Sequence, residues 1–170
     1  MNFGIVIFPS KTMQDKANSL RKRYDTHYAL IPPHITLKPV FEAPETEIGS
    51  ITKELHAIAS KTNAFTLKVE KVGSFSPVNN VIYLKVENTP ELASLNNQLH
   101  TGYFTQEREY AFVPHITIGQ NMSDAEHADV LGQLKMNQFH CEQTVDRFHL
   151  LYQLEDGTWT VYETFHLGKE

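Results

Sequence analysis

The first half of the chain alternates between strand-like and helix-like patterns of apolar residues. Residues 3–8 form an apolar run that predicts a strand, and Ser10 follows as the predicted cap of a helix. Residues 33–37 alternate between apolar and polar side chains, as do residues 65–69, so each range predicts a further strand. Apolar residues spaced three or four positions apart mark two helical faces, formed by Met13, Ala17, Leu20 and Tyr24 and by Ile48, Ile51, Leu55 and Ile58.

The second half repeats this order of elements. Strands are predicted at residues 81–86 and 114–118, and a helix starting at Thr89-Pro90 lies between them. Residues 123–126 are typical of a capping box that opens another helix. Apolar helix positions are Leu92, Leu95 and Leu99 in the earlier helix, and Leu131 and Leu134 in the later one. Near the end, Asp156-Gly157 predicts a hairpin turn between two closing strands, residues 148–154 and 158–165.

This duplication predicts an α+β fold built from two β-α-β-α-β units related by a pseudo-twofold axis. The first repeat spans about residues 1–72 and the second about 78–145, and C-terminal strands continue to residue 170. Each unit is too small to bury its own sheet well, so we expect one domain, 1–170, with two lobes and a central cleft.

A short motif occurs once in each repeat: His34-Ile-Thr36-Leu and His115-Ile-Thr117-Ile, each preceded by proline. Because side chains alternate along a strand, His and Thr of each motif share one face while the apolar residues share the other. The pseudo-twofold axis would bring the two His–Thr pairs to opposite sides of one cleft.

These residue types suit the cleavage of a phosphodiester. One neutral imidazole can remove a proton from the nucleophile, and a second, protonated imidazole can donate a proton to the leaving oxygen. The hydroxyls of Thr36 and Thr117 can donate hydrogen bonds to the non-bridging oxygens. We therefore predict His34, His115, Thr36 and Thr117 as the catalytic residues, and we predict no metal and no cofactor.

Several stretches resemble a known family, namely GIVIFPS, IPPHITL, SPVNNVIYLKVE, FVPHITIGQN and VDRFHLLYQLEDGTWTVYE. With the paired motifs, they are similar to the two-histidine (2H) phosphoesterase superfamily, and especially to its bacterial YjcG-like branch. The resemblance covers nearly the whole chain. It implies an antiparallel sheet in each lobe, a cleft carrying both motifs, and chemistry on 2′,3′-cyclic phosphodiesters of nucleotides or RNA ends. It does not identify the substrate, because the loops that select substrate differ between members.

Weaker predictions concern residues near the motifs. Lys38 shares strand parity with His34 and could neutralise phosphate or be an ordinary lysine at a strand end. Tyr83 could stack on a base, as aromatic side chains do in nucleotide recognition, or be half-buried core. The loop from Ser74 to Asn80, flanked by Phe75, could cover the cleft, although a plain hairpin connection is favoured. Trp159 is interpreted as packing in the last hairpin. The other histidines are interpreted as structural or surface residues: His27, His56, His100, His127, His140, His149 and His166.

Composition narrows the classes of function. The formal net charge is −5, which disfavours duplex nucleic acid as a partner but allows a small nucleotide or one RNA terminus. The basic cluster 21–23 is interpreted mainly as the solvated end of a helix. Cys141 is the only cysteine, so neither an internal disulfide nor a Cys-based zinc site is expected. With no apolar run long enough to span a bilayer, we expect a cytoplasmic protein without a membrane partner; the oligomeric state is left open.

Two other hypotheses fit the motifs. The cleft could bind a nucleotide or RNA end without turning it over. Alternatively, both histidines and a carboxylate could hold a metal, although threonine is a poor zinc ligand. The sequence also leaves open which histidine is the acid and which is the base.

Overall fold

A computed structural model describes residues 1–108 and 110–168, and it contains eight strands in one antiparallel sheet. The order across the sheet is β6-β3-β4-β5-β2-β1-β7-β8. The strands are β1 (Asn2–Ile7), β2 (Ile35–Glu42), β3 (Phe65–Ser74), β4 (Ile82–Val86), β5 (His115–Gly119), β6 (Cys141–Val145), β7 (Arg147–Gln153) and β8 (Trp159–His166).

Four α-helices connect the strands: α1 (Lys11–Tyr24), α2 (Ile48–Lys61), α3 (Pro90–Gln98) and α4 (Asp124–Leu134). Three of them begin at the predicted caps. The side-chain oxygens of Ser10, Thr89 and Ser123 each accept a hydrogen bond from a backbone N–H in the first turn of their helix. Single 3₁₀ turns occur at Glu45–Glu47 and Gly102–Phe104. None of the described helices is both long and apolar enough to cross a membrane.

The sheet consists of two four-stranded halves that meet between β2 and β5. The first half contains β2, β1, β7 and β8, and the second contains β5, β4, β3 and β6. They are joined where Ile35 pairs with Ile116. The predicted α+β class with paired antiparallel halves is therefore confirmed, and the two halves form one continuous sheet.

The connection between the halves exchanges strands. β3 lies within the first predicted repeat but pairs with β4 and β6 in the second half, while β7 and β8 complete the first half. The predicted repeat boundaries stay a prediction. The hairpin turn between β7 and β8 is confirmed: Gly157 has a φ of +89°, and Asp156 Oδ1 accepts a hydrogen bond from the backbone N–H of Thr158.

The two faces of the sheet have different roles. One face is apolar and packs under the helices, with α1 against β5, α2 against β8, α3 against β2 and α4 against β3. Large side chains that are almost fully buried in this core include Phe3, Ile5, Ile35, Leu37, Ile82, Leu84, Phe148 and Phe165. The opposite face, which carries the alternate residues along each strand, is left for the motif side chains.

Candidate functional site

The two motifs lie side by side because Ile35 of β2 pairs with Ile116 of β5 in an antiparallel register. Directly paired residues in a sheet point to the same face, so both isoleucines enter the core, and both are fully buried. The residues on either side of each isoleucine project from the other face. Extended from this pair, the register puts Thr36 beside His115 and the two histidines on the diagonal, where regular pairing sets Cβ atoms about 7 Å apart.

The backbone in front of each strand fixes the corresponding imidazole. Nδ1 of His34 lies 2.8 Å from the carbonyl oxygen of Pro32, and Nδ1 of His115 lies 2.6 Å from that of Val113. A carbonyl oxygen can only accept, so each Nδ1 carries the proton and donates it. In the neutral ring Nε2 therefore holds the lone pair, and within the described residues neither Nε2 has a hydrogen-bond partner.

Desolvation favours the neutral form of both motif histidines in the free protein. Desolvation lowers the pKa of His34 to about 4; the Pro32 hydrogen bond opposes this shift, while the nearby Arg21 guanidinium and His115 add to it. Desolvation also lowers the pKa of His115, opposed by the hydrogen bond to Val113.

A cavity of about 370 Å³ adjoins the motifs, and its lining includes His34, Thr36 and Thr117. His115 borders the site from the other side, where its ring centroid lies 5.0 Å from that of Phe75 and 5.2 Å from that of Tyr83. Among the described residues, neither motif hydroxyl forms a hydrogen bond to another side chain or backbone group. Two hydroxyl groups are thus available to donate to a bound anion, and each Nε2 can do so once it is protonated.

A buried ion pair supports the loop that leads into His34. Arg21 is 2% exposed, and its Nε donates to Asp25 Oδ2 at 2.9 Å. Its guanidinium also donates to the backbone carbonyl of Ile31 at 2.6 Å. Asp25 Oδ1 in turn accepts from Gln120 at 2.7 Å, directly after β5. The interpretation of residues 21–23 as a solvated helix end was therefore wrong for Arg21, since the following loop folds back over it; Lys22 and Arg23 are exposed.

Lys38 borders the same cavity, but the prediction that it shares strand parity with His34 was wrong. The register of β1 and β2 shifts at this point, so that Thr36 pairs with Val6 whereas Lys38 pairs with the core residue Ile5. The ammonium group of Lys38 is already bound. Nζ donates to the carbonyl oxygens of Leu99 and Phe104, at 2.9 and 3.0 Å, and to Gln106 Oε1 at 2.6 Å. Burial, with the charge of Arg108, lowers the pKa of Lys38 to about 8. These contacts favour a structural role, in which Lys38 ties residues 99–106 to β2, over direct contact with phosphate.

Tyr83 lies on β4, opposite Thr117 of β5, and is 9% exposed. Its ring packs between Phe75, at a centroid distance of 4.5 Å, and His115. It also covers Gly73, where a Cβ atom would come within 2.8 Å of the ring. This packing favours a role in holding His115 over base stacking. The connection from Ser74 to Asn80 is a hairpin loop whose Phe75 contacts the motif histidine, which the sequence did not indicate.

The remaining histidines and Cys141 differ in burial and in hydrogen bonding. His100 and His127 are buried and hydrogen-bonded to Asn96 O and Ser74 Oγ, whereas His27 is exposed and lines the cavity. No sequence signal singled out His27. Cys141 is a free, partly buried thiol that packs against the core. Within residues 1–108 and 110–168, no three His, Cys, Asp or Glu side chains come together as a metal site.

Known proteins are similar to this chain over most of its length. A family model described as the 2'-5' RNA ligase superfamily matches residues 8–157. A protein of Bacillus mycoides (strain KBAB4), named "Putative phosphoesterase", is 72% identical over 170 residues, which is 100% of this chain and 99% of that protein. A relative of the same name from Bacillus cereus (strain AH187) is 73% identical over 99% of this chain and 98% of its own length.

Solved structures share the fold. The crystal structure of TT0787 of Thermus thermophilus superposes with a TM-score of 0.72 at 18% identity, covering 100% of both chains. The structure of E. coli LigT complexed with 3'-AMP superposes with a TM-score of 0.70 at 19% identity, covering 99% of this chain and 98% of that one. The family match, the close relatives and the paired motifs show that this chain belongs to the 2'-5' RNA ligase superfamily, the two-histidine phosphoesterases.

Proposed function

We propose that this phosphoesterase hydrolyses a cyclic phosphodiester of the 2′,3′ type, on a nucleotide or an RNA end, without a metal. The observation that carries the proposal is the register of Ile35 with Ile116, which brings the two His–Thr pairs onto neighbouring strands of one sheet. A nucleotide as substrate is consistent with the related fold of E. coli LigT, which has been crystallised with 3'-AMP.

The reaction needs one neutral and one protonated imidazole. The neutral Nε2 takes a proton from water as the water oxygen bonds to phosphorus. The bond from phosphorus to one ribose oxygen breaks, and the protonated Nε2 of the second ring gives its proton to that oxygen. The product is a phosphomonoester beside a free hydroxyl. One ring has gained a proton and the other has lost one, so exchange with solvent restores the starting state.

The surroundings of the two rings suggest how the roles are divided. The buried guanidinium of Arg21 adds to desolvation in disfavouring protonation of His34. We therefore assign the base to His34 and the acid to His115. The phosphate of a bound substrate is negative and raises the pKa of both rings, which supplies the protonated form of His115.

The threonines would serve the phosphoryl oxygens. Thr36 and Thr117 lie on the same face as the histidines, and their hydroxyls are free to donate within the described structure. Charge builds on the non-bridging oxygens as water attacks, and preorganised donors aimed at such charge lower the barrier. Each Nδ1–H···O=C hydrogen bond holds its ring in the required tautomer and orientation.

A panel of cyclic phosphodiesters tests the proposal, with products followed by ³¹P NMR. We expect turnover of nucleoside 2′,3′-cyclic phosphates that EDTA does not change, and a loss of about 10²–10⁴-fold in His34→Ala and in His115→Ala. His140→Ala is the matched control, because His140 is exposed and lies outside both motifs. Thr36→Val and Thr117→Val should each lose about 10²-fold or more, unlike Thr66→Val on the exposed side of β3.

Three results would contradict the proposal. Absence of turnover on every cyclic substrate, together with unimpaired nucleotide binding by both histidine variants, would indicate a binding module. Activity lost in EDTA and restored by zinc would indicate a metal site. Turnover that survives replacement of both histidines would place the chemistry elsewhere.

A further inference from the structure

The site between the motifs is symmetric at its centre, but its two sides are built differently. The cavity beside His34 continues across the sheet of the first half, over Gly4 of β1 and Leu151 of β7, as far as Trp159 at the start of β8. On the side of His115, the same face is filled by the rings of Phe75 and Tyr83. The first side therefore offers room for a group attached to the phosphate.

The second half is also more polar beyond that aromatic pair. Lys85 of β4 pairs with His115, so it projects from the motif face, and its Nζ lies 3.8 Å from Glu70 of β3. Both side chains are between a third and a half exposed. A flat apolar group would have to desolvate this ion pair to bind there, which is unfavourable.

The wall of the first side suits such a group. Two ring carbons of Trp159 lie 3.7 and 4.0 Å from the point where a Cβ atom would stand on Gly4, so the indole lies over a strand position without a side chain. Leu30 and Ile31 contribute apolar surface beside it, and His27 supplies a polar side chain to the lining. Ligand pockets commonly combine apolar and aromatic walls with a few polar groups.

The aromatic wall is coupled to the motif. The backbone N–H of Trp159 donates to the carbonyl oxygen of Leu30 at 2.8 Å. Leu30 belongs to the loop that leads to His34 and that Arg21 holds through Ile31. This bond fixes the backbone of Trp159 relative to the loop before His34, and the indole packs over Gly4. A specificity-determining group needs such a defined position.

We propose that this pocket, which we call the Trp159 pocket, binds the base of a nucleotide substrate by stacking on the indole, while the phosphate lies between the motifs. This inference rests on the proposed function. It adds that the substrate class is a nucleotide, and it identifies the side of the site that binds the base. The cavity of about 370 Å³ is near the lower end of the range for ligand pockets and suits one nucleotide. The residues that select substrate are then those of β1, β7 and β8.

The sequence contains a single tryptophan, so its fluorescence reports on the pocket directly. The protein is titrated with a nucleoside 3′-monophosphate, with ribose 5-phosphate and with inorganic phosphate, using His34→Ala as well as wild type. We expect saturable quenching by the nucleotide in both proteins and little change with either probe that lacks a base. Equal responses to all three probes, or no response to the nucleotide, would overturn the Trp159 pocket.

A second experiment compares the kinetics of hydrolysis of a nucleoside 2′,3′-cyclic phosphate with those of glycerol 1,2-cyclic phosphate. Trp159→Ala should raise the KM for the nucleoside substrate by about 5–150-fold, which is the equivalent of about 1–3 kcal/mol of stacking. It should leave hydrolysis of the glycerol compound unchanged. Trp159→Phe should recover most of the difference, and Tyr162→Ala, which removes an exposed aromatic from the same strand, should have no effect.

Together, the fluorescence titration and the kinetic comparison distinguish a failure of the Trp159 pocket from a failure of the proposed function. Quenching by the nucleotide without turnover would support the pocket and count against the hydrolase. Turnover with equal KM values for wild type and Trp159→Ala on the nucleoside substrate would support the hydrolase and overturn the pocket.

Discussion

Ile35 and Ile116 are paired across β2 and β5, and both are fully buried. Their register places two His–Thr pairs on the opposite face of the sheet, at the junction of its halves. Two imidazoles are brought together here without a direct contact between them, because each ring is held by the carbonyl oxygen two residues before it. The sheet supplies the distance between the rings, and the backbone ahead of each strand supplies their orientation.

The dependence of rate on pH should reveal the depressed pKa values of the two histidines. A base must be neutral, so kcat/KM falls as the pH drops through the pKa of His34, about 4. An acid must be protonated, so kcat/KM falls as the pH rises through the pKa of His115, which lies below its usual value. We expect an acidic optimum for kcat/KM, and an optimum for kcat at higher pH because the bound phosphate raises both pKa values.

The pH profiles of single-residue variants show which histidine is responsible for the acidic limb and which for the alkaline limb. The residual activity of His34→Ala should lack the acidic limb, and that of His115→Ala should lack the alkaline limb. If the limbs vanish in the reverse order, His34 is the acid. A profile that is flat from about pH 4 to 8 in the wild type would rule out acid/base catalysis by this pair.

Arg21 should act on both stability and the site. Replacing it by methionine leaves Asp25 buried without its cation, a change that commonly costs about 3–5 kcal/mol. It also frees the loop before His34 and removes a charge that depresses the pKa of that ring. We expect a lower free energy of unfolding in urea, and an acidic limb of kcat/KM moved to higher pH.

The exposed Arg23→Met is the control for Arg21→Met. It removes the same charge from the same helix and should change neither quantity. An Arg21→Met protein as stable as wild type would show that the buried ion pair contributes little.

Lys38 offers a choice between a structural and a phosphate-binding role. In Lys38→Met the oxygens of Leu99, Phe104 and Gln106 lose their donor, which we expect to lower the free energy of unfolding by about 1–3 kcal/mol. The KM for a cyclic substrate should change little. Lys53→Met, at an exposed position of α2, serves as the control. A large rise in KM with unchanged stability would instead support contact with phosphate.

The paired motifs could be predicted from the sequence because a local pattern determines them. Alternation placed His34 and Thr36 on one face, and the internal repeat indicated that His115 and Thr117 would meet them. The helix caps followed equally local rules, as at Ser10. These features depend on residues close together in the chain.

Long-range contacts account for what the sequence did not reveal. Arg21 looks like part of a solvated basic cluster until the loop through Ile31 folds back on it. Lys38 has the parity of His34 only in a regular strand; a shift in the register of β1 and β2 pairs it with Ile5, and oxygens more than 60 residues away bind its ammonium group. The local sequence predicts that Trp159 packs in the last hairpin, and only the order of strands in the sheet brings it over Gly4. Contacts between side chains that are distant in sequence produce no local sequence pattern from which they could be predicted.

Gly73 tests how tightly the aromatic side of the site is packed. A Cβ atom there would come within 2.8 Å of the ring of Tyr83, which lies against His115, so Gly73→Ala must displace that ring. Overpacking of this kind typically costs about 1–3 kcal/mol, measured by urea denaturation. Because the imidazole rests on the displaced ring, we also expect kcat to fall by about tenfold while nucleotide quenching of Trp159 is retained. Gly132→Ala is the control: no atom lies within 4 Å of its Cβ position in α4, so this variant should be stabilised by up to about 1 kcal/mol with kcat unchanged. If Gly73→Ala matches wild type in both measurements, Tyr83 has no part in positioning His115.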